Sequence, residues 1–253
     1  MMYIFDQFIY FPLYNLLIFI YNVLPFHDFG LAIIVVTLII KFALVPLSKK
    51  QIESQKKMQE LQPKIKEVQN KHKNDKEKQS KALMELYKEH KTNPFSGCLP
   101  MVVQLVFLIA IYRVFFNISE AGLNIDGAGL YSFVQNPGQI NRMFIGILDL
   151  TSVVNLGQLT LASIPHLVLV VLAAGSQYIQ TKMLMAKQTP SKAGENDFAQ
   201  TMSKQMLYLG PLLTLFIGIK FPAGLALYWL ISTGFMVVQQ YYIQKADETA
   251  SAK

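Results

Sequence analysis

Five stretches of the chain are almost entirely apolar, and their lengths suit helices crossing about 30 Å of hydrocarbon at about 1.5 Å per residue. They run from Gly30 to Leu47, Leu99 to Asn117, Leu161 to Thr181, Gln205 to Ile219 and Pro222 to Ile243. The fourth is short and meets the fifth through "GIKFPAG", where Gly218, Pro222 and Gly224 supply turn chemistry. The last two therefore read as a tight helical hairpin. A further segment, Tyr3 to Leu24, mixes aromatics (Tyr3, Phe5, Phe8, Tyr10, Phe11, Tyr14, Phe19, Tyr21) with Asp6, Gln7, Asn15 and Asn22, and it contains Pro12. That mixture suits the headgroup boundary better than the bilayer centre. No basic start precedes it and no small-residue cleavage site follows, so a signal peptide is the weaker reading.

Between the first two stretches lies a polar segment with its own periodicity. Ile52, Met58, Leu61, Ile65 and Val68 recur at helical spacing, and Ala82, Leu83, Leu86 and Tyr87 mark a second helix before Asn93 and Pro94. The segment reads as an amphipathic helical hairpin, either a solvated charged surface that enforces topology or a contact face for substrate or ribosome. Between the second and third stretches, Gly122, Gly127, Gly129 and Pro137 break up residues 118–160, which are too few for a large domain; "FIGILDL" there could lie along the membrane surface.

Charge then sets orientation. Residues 48–94 carry Lys49, Lys50, Lys56, Lys57, Lys64, Lys66, Lys71, Lys73, Lys76, Lys78, Lys81, Lys88 and Lys91, and the segments after the third and fifth stretches add Lys187, Lys192, Lys245 and Lys253. The opposite side offers Arg142 and Lys220. Basic loops stay in the cytoplasm, so five spans place the N-terminus outside and the C-terminus inside. The expected organisation is an outer amphipathic interfacial helix over 1–29, spans over 30–47, 97–117, 161–181, 205–219 and 222–243, a basic cytoplasmic hairpin over 48–96, an outer loop over 118–160, a cytoplasmic loop over 182–204 and a cytoplasmic tail over 244–253.

Composition agrees. Hydrophobic residues make up 52% of the chain and charged residues 15%, against about 25% charged in soluble domains. The net charge of +7 sits in loops beside apolar runs, which points to topology and anionic lipid rather than DNA. The single cysteine, Cys98 in "FSGCLP", excludes an internal disulfide framework. A polar, charged segment precedes it, so it reads as a small packing residue at a helix start and not as a lipidation site.

One residue stands out chemically. Lys41 lies inside "IIVVTLIIKFALVPL", six residues or about 9 Å from the end of the stretch near Leu47. A charge near a helix centre costs on the order of 2.5–3.5 kcal/mol on insertion scales. Snorkelling to the cytoplasmic headgroups is one reading, but helical side chains tilt toward the helix N-terminus, here the outer side. A water-filled cavity removes that difficulty. Thr37, Gln104, Gln177, Gln180, Trp229 and Thr233 are polar groups on other turns and spans that could line such a cavity; each alone could also be interhelical glue. No acidic residue lies inside any span. Arg113, near the outer end of the second span, reads as reaching outward to the interface. No HExxH, GxSxG or P-loop pattern is present, and His27, His72, His90 and His166 lack metal-ligand spacing; neither catalysis nor a cofactor or metal is expected.

The pieces "GLAIIVVTLIIKFALVPLSKKQ", "KMQELQPKIKEVQNKHKND", "LMELYKEHKTNPFSGCLPMVVQ", "QYIQTKM" and "FPAGLALYWLISTGFMVVQQYYIQK" occur in the order and context of a known family. Over most of residues 13 to 245 the chain resembles the YidC membrane-protein insertases and their Oxa-type and Albino-type relatives. The resemblance implies an all-α polytopic membrane protein of the bacterial cell (inner) membrane. Its five transmembrane helices would surround a hydrophilic groove open to cytoplasm and lipid, with a mobile cytoplasmic hairpin and an outer interfacial helix. It implies that Lys41, Gln104, Gln180 and Trp229 line the groove, where a cation attracts acidic residues of a substrate's N-terminal tail. The implied partners are nascent membrane proteins, the ribosome and the Sec translocon, besides anionic lipids. Family members usually carry Arg where this chain has Lys41, and lysine lacks the planar five-donor fork. The tail after Lys245 is short and weakly basic for a ribosome anchor, and the absence of a large outer domain resembles the family's short forms. A small-solute transporter or channel is the alternative, although neither internal repeats nor paired broken helices are evident.

Overall fold

In the computed structural model, residues 2–93, 99–125, 127–185 and 198–251 are described. Pro94, Cys98, Lys187, Lys192 and Lys253 lie outside the described residues. The N-terminal helix runs through α1 (Met2–Phe5), a π-helical turn (Asp6–Tyr10) and α2 (Phe11–Val23). It is followed by α3 (Phe29–Ala43), α4 (Val45–Lys71), α5 (Lys76–Glu89), α6 (Leu99–Glu120), α7 (Ile164–Met185), α8 (Phe198–Lys220) and α9 (Ala223–Ser251). Between α6 and α7 a small antiparallel hairpin pairs β1 (Met143–Phe144) with β2 (Leu148–Asp149). "FIGILDL", which could lie along the membrane surface, supplies most of this hairpin. Asp149 ties it by accepting from Arg142 at 3.2 Å.

By length and apolarity, Tyr3–Val23, Val102–Glu120 and Leu161–Leu184 are able to cross a bilayer, and the pair Phe29–Ala43 and Val45–Met58, bent by 61°, adds a fourth if counted as one span. Those criteria do not return the five spans of the sequence reading. The apolar part of α8 runs only from Leu207 to Lys220, and Gln239 and Gln240 interrupt the apolar run of α9. They also admit the N-terminal helix, which the sequence reading laid along the interface. Its contacts bear on its direction. Near its start, Asp6 pairs with Arg113 and Tyr10 accepts from Asn117 at 2.7 Å. Near its finish, Asn22 donates to the Gln135 carbonyl at 2.6 Å. Both ends therefore touch the end of the bundle that carries residues 118–163, hereafter the loop end. The Arg113 guanidinium is held by Asp6 of the N-terminal helix and lies 4.7 Å from the Tyr10 ring centroid.

The apolar core is concentrated at this loop end. Leu17, Ile18, Ile33, Val36, Ile111, Val114, Leu150 and Leu227 are buried in one cluster that joins the N-terminal helix, α3, α6, the loop and the first turns of α9. Several buried polar groups there are satisfied locally; His166 in the first turn of α7 is so only in part, its Nε2 lying 2.9 Å from the Gly218 carbonyl while its Nδ1 has no partner. Asn15 donates to the Gly129 carbonyl at 2.9 Å and accepts from the Tyr131 amide at 2.6 Å. Asp28 caps α3 by accepting from the Leu31 amide at 3.0 Å and also accepts from the Ile145 amide at 2.7 Å. The first amides of α9, which have no partner within their own helix, donate from Ala223 to the Ser152 carbonyl at 3.0 Å and from Gly224 to the Leu150 carbonyl at 2.9 Å.

α9 runs through the middle of the bundle and packs against α3, α6, α7 and α8, while α8 leans chiefly on α7. At the opposite end, α3 breaks at Leu44 into α4, which pairs with α5 as a helical hairpin; this is the hairpin end. Leu61 and Ile65 are buried within the pair, and Gln79 donates to the Gln69 carbonyl at 3.0 Å. Asp75 caps α5 by accepting from the Lys78 amide at 3.0 Å, and that bond holds its carboxyl below the usual carboxylate range.

Close packing at the loop end makes Gly224 irreplaceable: a Cβ there would overlap the Phe115 ring. Gly224→Ala is expected to cost on the order of 1–3 kcal/mol, read as a lower melting temperature in detergent. At the hairpin, the lowered Asp75 pKa means the cap stabilises α5 fully above about pH 4 and is lost as pH falls through the folded-state value. Asp75→Ala at neutral pH should therefore speed amide hydrogen exchange in the first turns of α5.

Candidate functional site

Between the dry loop end and the hairpin lies a seam of polar side chains contributed by α3, α6, α7 and α9. On α9, Ser232, Met236 and Gln240 follow one another at i, i+4 and i+8 and so share one face. Lys41 of α3 and Gln104 of α6 face this stripe. The Lys41 ammonium donates to Gln104 Oε1 at 3.1 Å and reaches Met236 Sδ at 3.3 Å. Ser232, itself fully buried, donates to the same Gln104 oxygen at 2.8 Å. Two donors converging on one atom fix the amide orientation, since only the oxygen accepts. The adjacent Phe42 and Phe235 rings meet edge to face at 5.0 Å and lock the register of α3 on α9 beside the ammonium.

The balance of donors and acceptors in this seam is lopsided. Gln104 Nε2 is buried without a partner, and the ammonium carries three hydrogens for one oxygen and one weakly accepting sulfur. Among the described residues no carboxylate pairs with Lys41. A cation and an unused amide donor side by side make a site complementary to an acceptor, best of all an anionic one.

Of the residues singled out in the sequence, Lys41 and Gln104 are thus in direct contact. Gln180 joins them through Met236, with Nε2 at 3.6 Å from the sulfur. Gln177 and Trp229 pair with each other, indole to Oε1, at 3.4 Å. Thr37 and Thr233 are buried and donate to carbonyls of their own helices, Ile33 at 2.6 Å and Trp229 at 2.8 Å, so their hydroxyls are spent locally. Ser232 and Met236 were not picked out beforehand. Their spacing with Gln240 along α9 was the available signal, hidden because a serine and a methionine on an apolar helix look like packing residues.

The molecule is thus an all-α membrane protein with a cationic polar seam inside its helix bundle. The family model described as 60Kd inner membrane protein matches residues 19–250. Membrane protein insertase YidC of Fusobacterium nucleatum subsp. nucleatum is 34% identical over 218 residues, covering 86% of this chain and 87% of that protein. The proteins of the same name from Citrifermentans bemidjiense and Geotalea daltonii are 34% and 36% identical over 235 and 220 residues, but this chain spans only 36% and 34% of their lengths. A solved structure, described as an active YidC insertase with the first transmembrane domain resolved, aligns with a TM-score of 0.55 over 94% of this chain and 46% of that one. At 24% identity that likeness bears on the fold alone. The chain belongs to the YidC membrane-protein insertase family.

A cation held without a carboxylate costs stability. Lys41→Met, which keeps the length and removes the charge, is expected to stabilise the bundle by on the order of 1 kcal/mol. Thermal unfolding in detergent checks this; a lower melting temperature would refute the assignment of Lys41 as an uncompensated charge.

Proposed function

We propose that this chain inserts nascent membrane proteins into the bilayer without a chemical reaction, receiving the polar tail of a substrate in the Lys41 seam and releasing its hydrophobic segment sideways into lipid. The observation that carries this reading is the donor-rich contact of Lys41, Gln104 and Ser232, set between a dry loop end and a polar hairpin end. A tail entering from the hairpin end meets hydrogen-bonding groups and a counter-charge, and meets tightly packed apolar side chains beyond them. The path through hydrocarbon is shortened on one side only. Burying about 20 apolar residues of the substrate in lipid supplies the driving force, so no nucleotide site is required.

In the orientation this reading adopts, the lysine-rich hairpin and the C-terminus face the cytoplasm. The N-terminal helix then lies on the outer side, consistent with both of its ends touching the loop end, and α3, α6, α7, α8 and α9 are the five spans. The hairpin offers a basic face to anionic lipid and to the ribosome, and association with the Sec translocon belongs to the same reading. Substrates with acidic N-terminal tails suit the cation at position 41. The transporter or channel alternative is not favoured by the relatives, which are named insertases.

Reconstituted vesicles and a short single-span substrate with an acidic tail provide the test. Lys41→Glu should slow insertion roughly tenfold, the equivalent of about 1.4 kcal/mol, whereas Lys41→Arg should insert at nearly the rate of the unsubstituted chain. Equal insertion by the Glu variant would remove Lys41 from the mechanism.

A further inference from the structure

At the loop end, the β-hairpin carries a tip that suits water poorly. Phe144, Ile145, Gly146 and Ile147 form its turn, closed by the Ile147 amide donating to the Phe144 carbonyl at 3.0 Å. The two central residues have φ of +45° at Ile145 and +69° at Gly146. Tight hairpin turns use such left-handed pairs, which Asn-Gly or Gly-Gly supply without strain. A β-branched residue is a poor choice there, because its Cβ crowds the following carbonyl. Ile145 and Ile147 are also 61% and 68% exposed. In water the tip would suffer twice, from backbone strain and from uncovered apolar surface.

The rest of the β-hairpin holds this tip stiffly. Asp28, the cap of α3, accepts from the Ile145 amide at 2.7 Å and so fixes the strained residue to that helix. The Phe144 ring fills the notch at Gly30, where a Cβ would overlap it, and Leu148 is buried. Arg142 and Asp149 pair at the base, while residues 143–148 carry no charge.

Height decides what surrounds the tip. Phe144 rests on the second residue of α3, so the turn is level with the first turn of that helix. α3 has 15 residues, about 22 Å, against about 30 Å of hydrocarbon, and α4 departs from it at 61°. With α3 as a span, its first turn falls at or inside the edge of the hydrocarbon. Phe26, two residues before Asp28, is exposed there as well. We propose that Ile145 and Ile147 form a wedge that enters the outer leaflet and anchors the start of α3 in lipid. Apolar surroundings remove the solvation penalty. A tip without charge or hydrogen-bonding side chains suits lipid better than a docked protein, whose rim is polar. Gly30 and Lys41 are eleven residues apart, three turns along one face of a helix. A wedge that fixes the height of Gly30 therefore also fixes the depth of the ammonium, about 16 Å further along.

Spin labels on the full chain in lipid nanodiscs, open to solutes on both faces, test this. The single cysteine is replaced (Cys98→Ser), and Ile147→Cys carries a nitroxide. Its collisions with oxygen, which concentrates in hydrocarbon, are compared with those of a water-soluble nickel chelate. Ile39→Cys, on an exposed part of α3, gives the hydrocarbon reference, and Lys88→Cys on α5 the aqueous one. The oxygen-to-nickel ratio at position 147 should be several times that at 88 and close to that at 39. Ile145→Asn, which the left-handed backbone tolerates, should keep the turn yet lower the ratio at 147 severalfold. An aqueous ratio at 147 beside a hydrocarbon ratio at 39 overturns the wedge and leaves the span intact; aqueous ratios at both overturn the five-span reading with it. Few collisions with either reagent would mean that protein covers the tip, and an unchanged ratio in Ile145→Asn would deny Ile145 its part; each refutes the proposal. The ratio at 147 with Ile145 in place decides even if Ile145→Asn does not fold.

Discussion

A lysine ammonium inside a helix bundle, with no carboxylate among the described residues to answer it, is the constraint on which the rest of this structure turns. Left in hydrocarbon the charge would cost several kcal/mol. Paired with an acid it would be quiet, and closed to any other anion. The bundle takes a third course. Gln104 and Met236 give the ammonium partial satisfaction, enough to hold its position, while the amide nitrogen of Gln104 stays unpaired beside it. The stability given up at this point is what leaves the site able to receive an acceptor, in keeping with a general trade between function and stability.

That arrangement requires the two ends of the bundle to differ. At the loop end the backbone and side chains leave little undone: Asp28 serves two amides, Asn15 bridges the N-terminal helix to the loop, and loop carbonyls take the first amides of α9. Aromatic and aliphatic side chains fill the remainder. At the other end the helix faces carry glutamines with amide nitrogens unspent. The contrast gives the polar seam a direction, with hydrogen-bonding groups from the hairpin end as far as Lys41 and apolar packing beyond. The break of 61° at Leu44 turns the start of α4 across the bundle and sets Ser48 and Gln51 beside residues of α7 and α9.

In the N-terminal helix, length and apolarity point one way and the side-chain pattern another. It is long and apolar enough to cross a bilayer, yet its aromatic and polar interleaving suits an interface. Its contacts at both ends go to the loop end of the bundle. α9 is the converse. It packs against α3, α6, α7 and α8, and the residues that weaken its apolar run, Gln239 and Gln240, lie where it approaches the start of α4 and α7.

Hydrophobic runs, lysine placement and helical periodicity were enough to define a helical membrane protein, the two helices of the basic segment and a cation deep in an apolar run, because these follow from local chemistry and spacing alone. Lys41 stood out since a charge in an apolar run has few innocent explanations, and Gln104 followed as a polar group on a neighbouring run. What the linear order could not decide was which polar groups meet. Thr37 and Thr233 turned back onto their own helices, Arg113 found Asp6 more than a hundred residues away, and Ser232 and Met236 joined the site although nothing in their local sequence marks them as polar partners. Those outcomes depend on how helices rotate and cross against one another, and packing fixes that only when all of them are present.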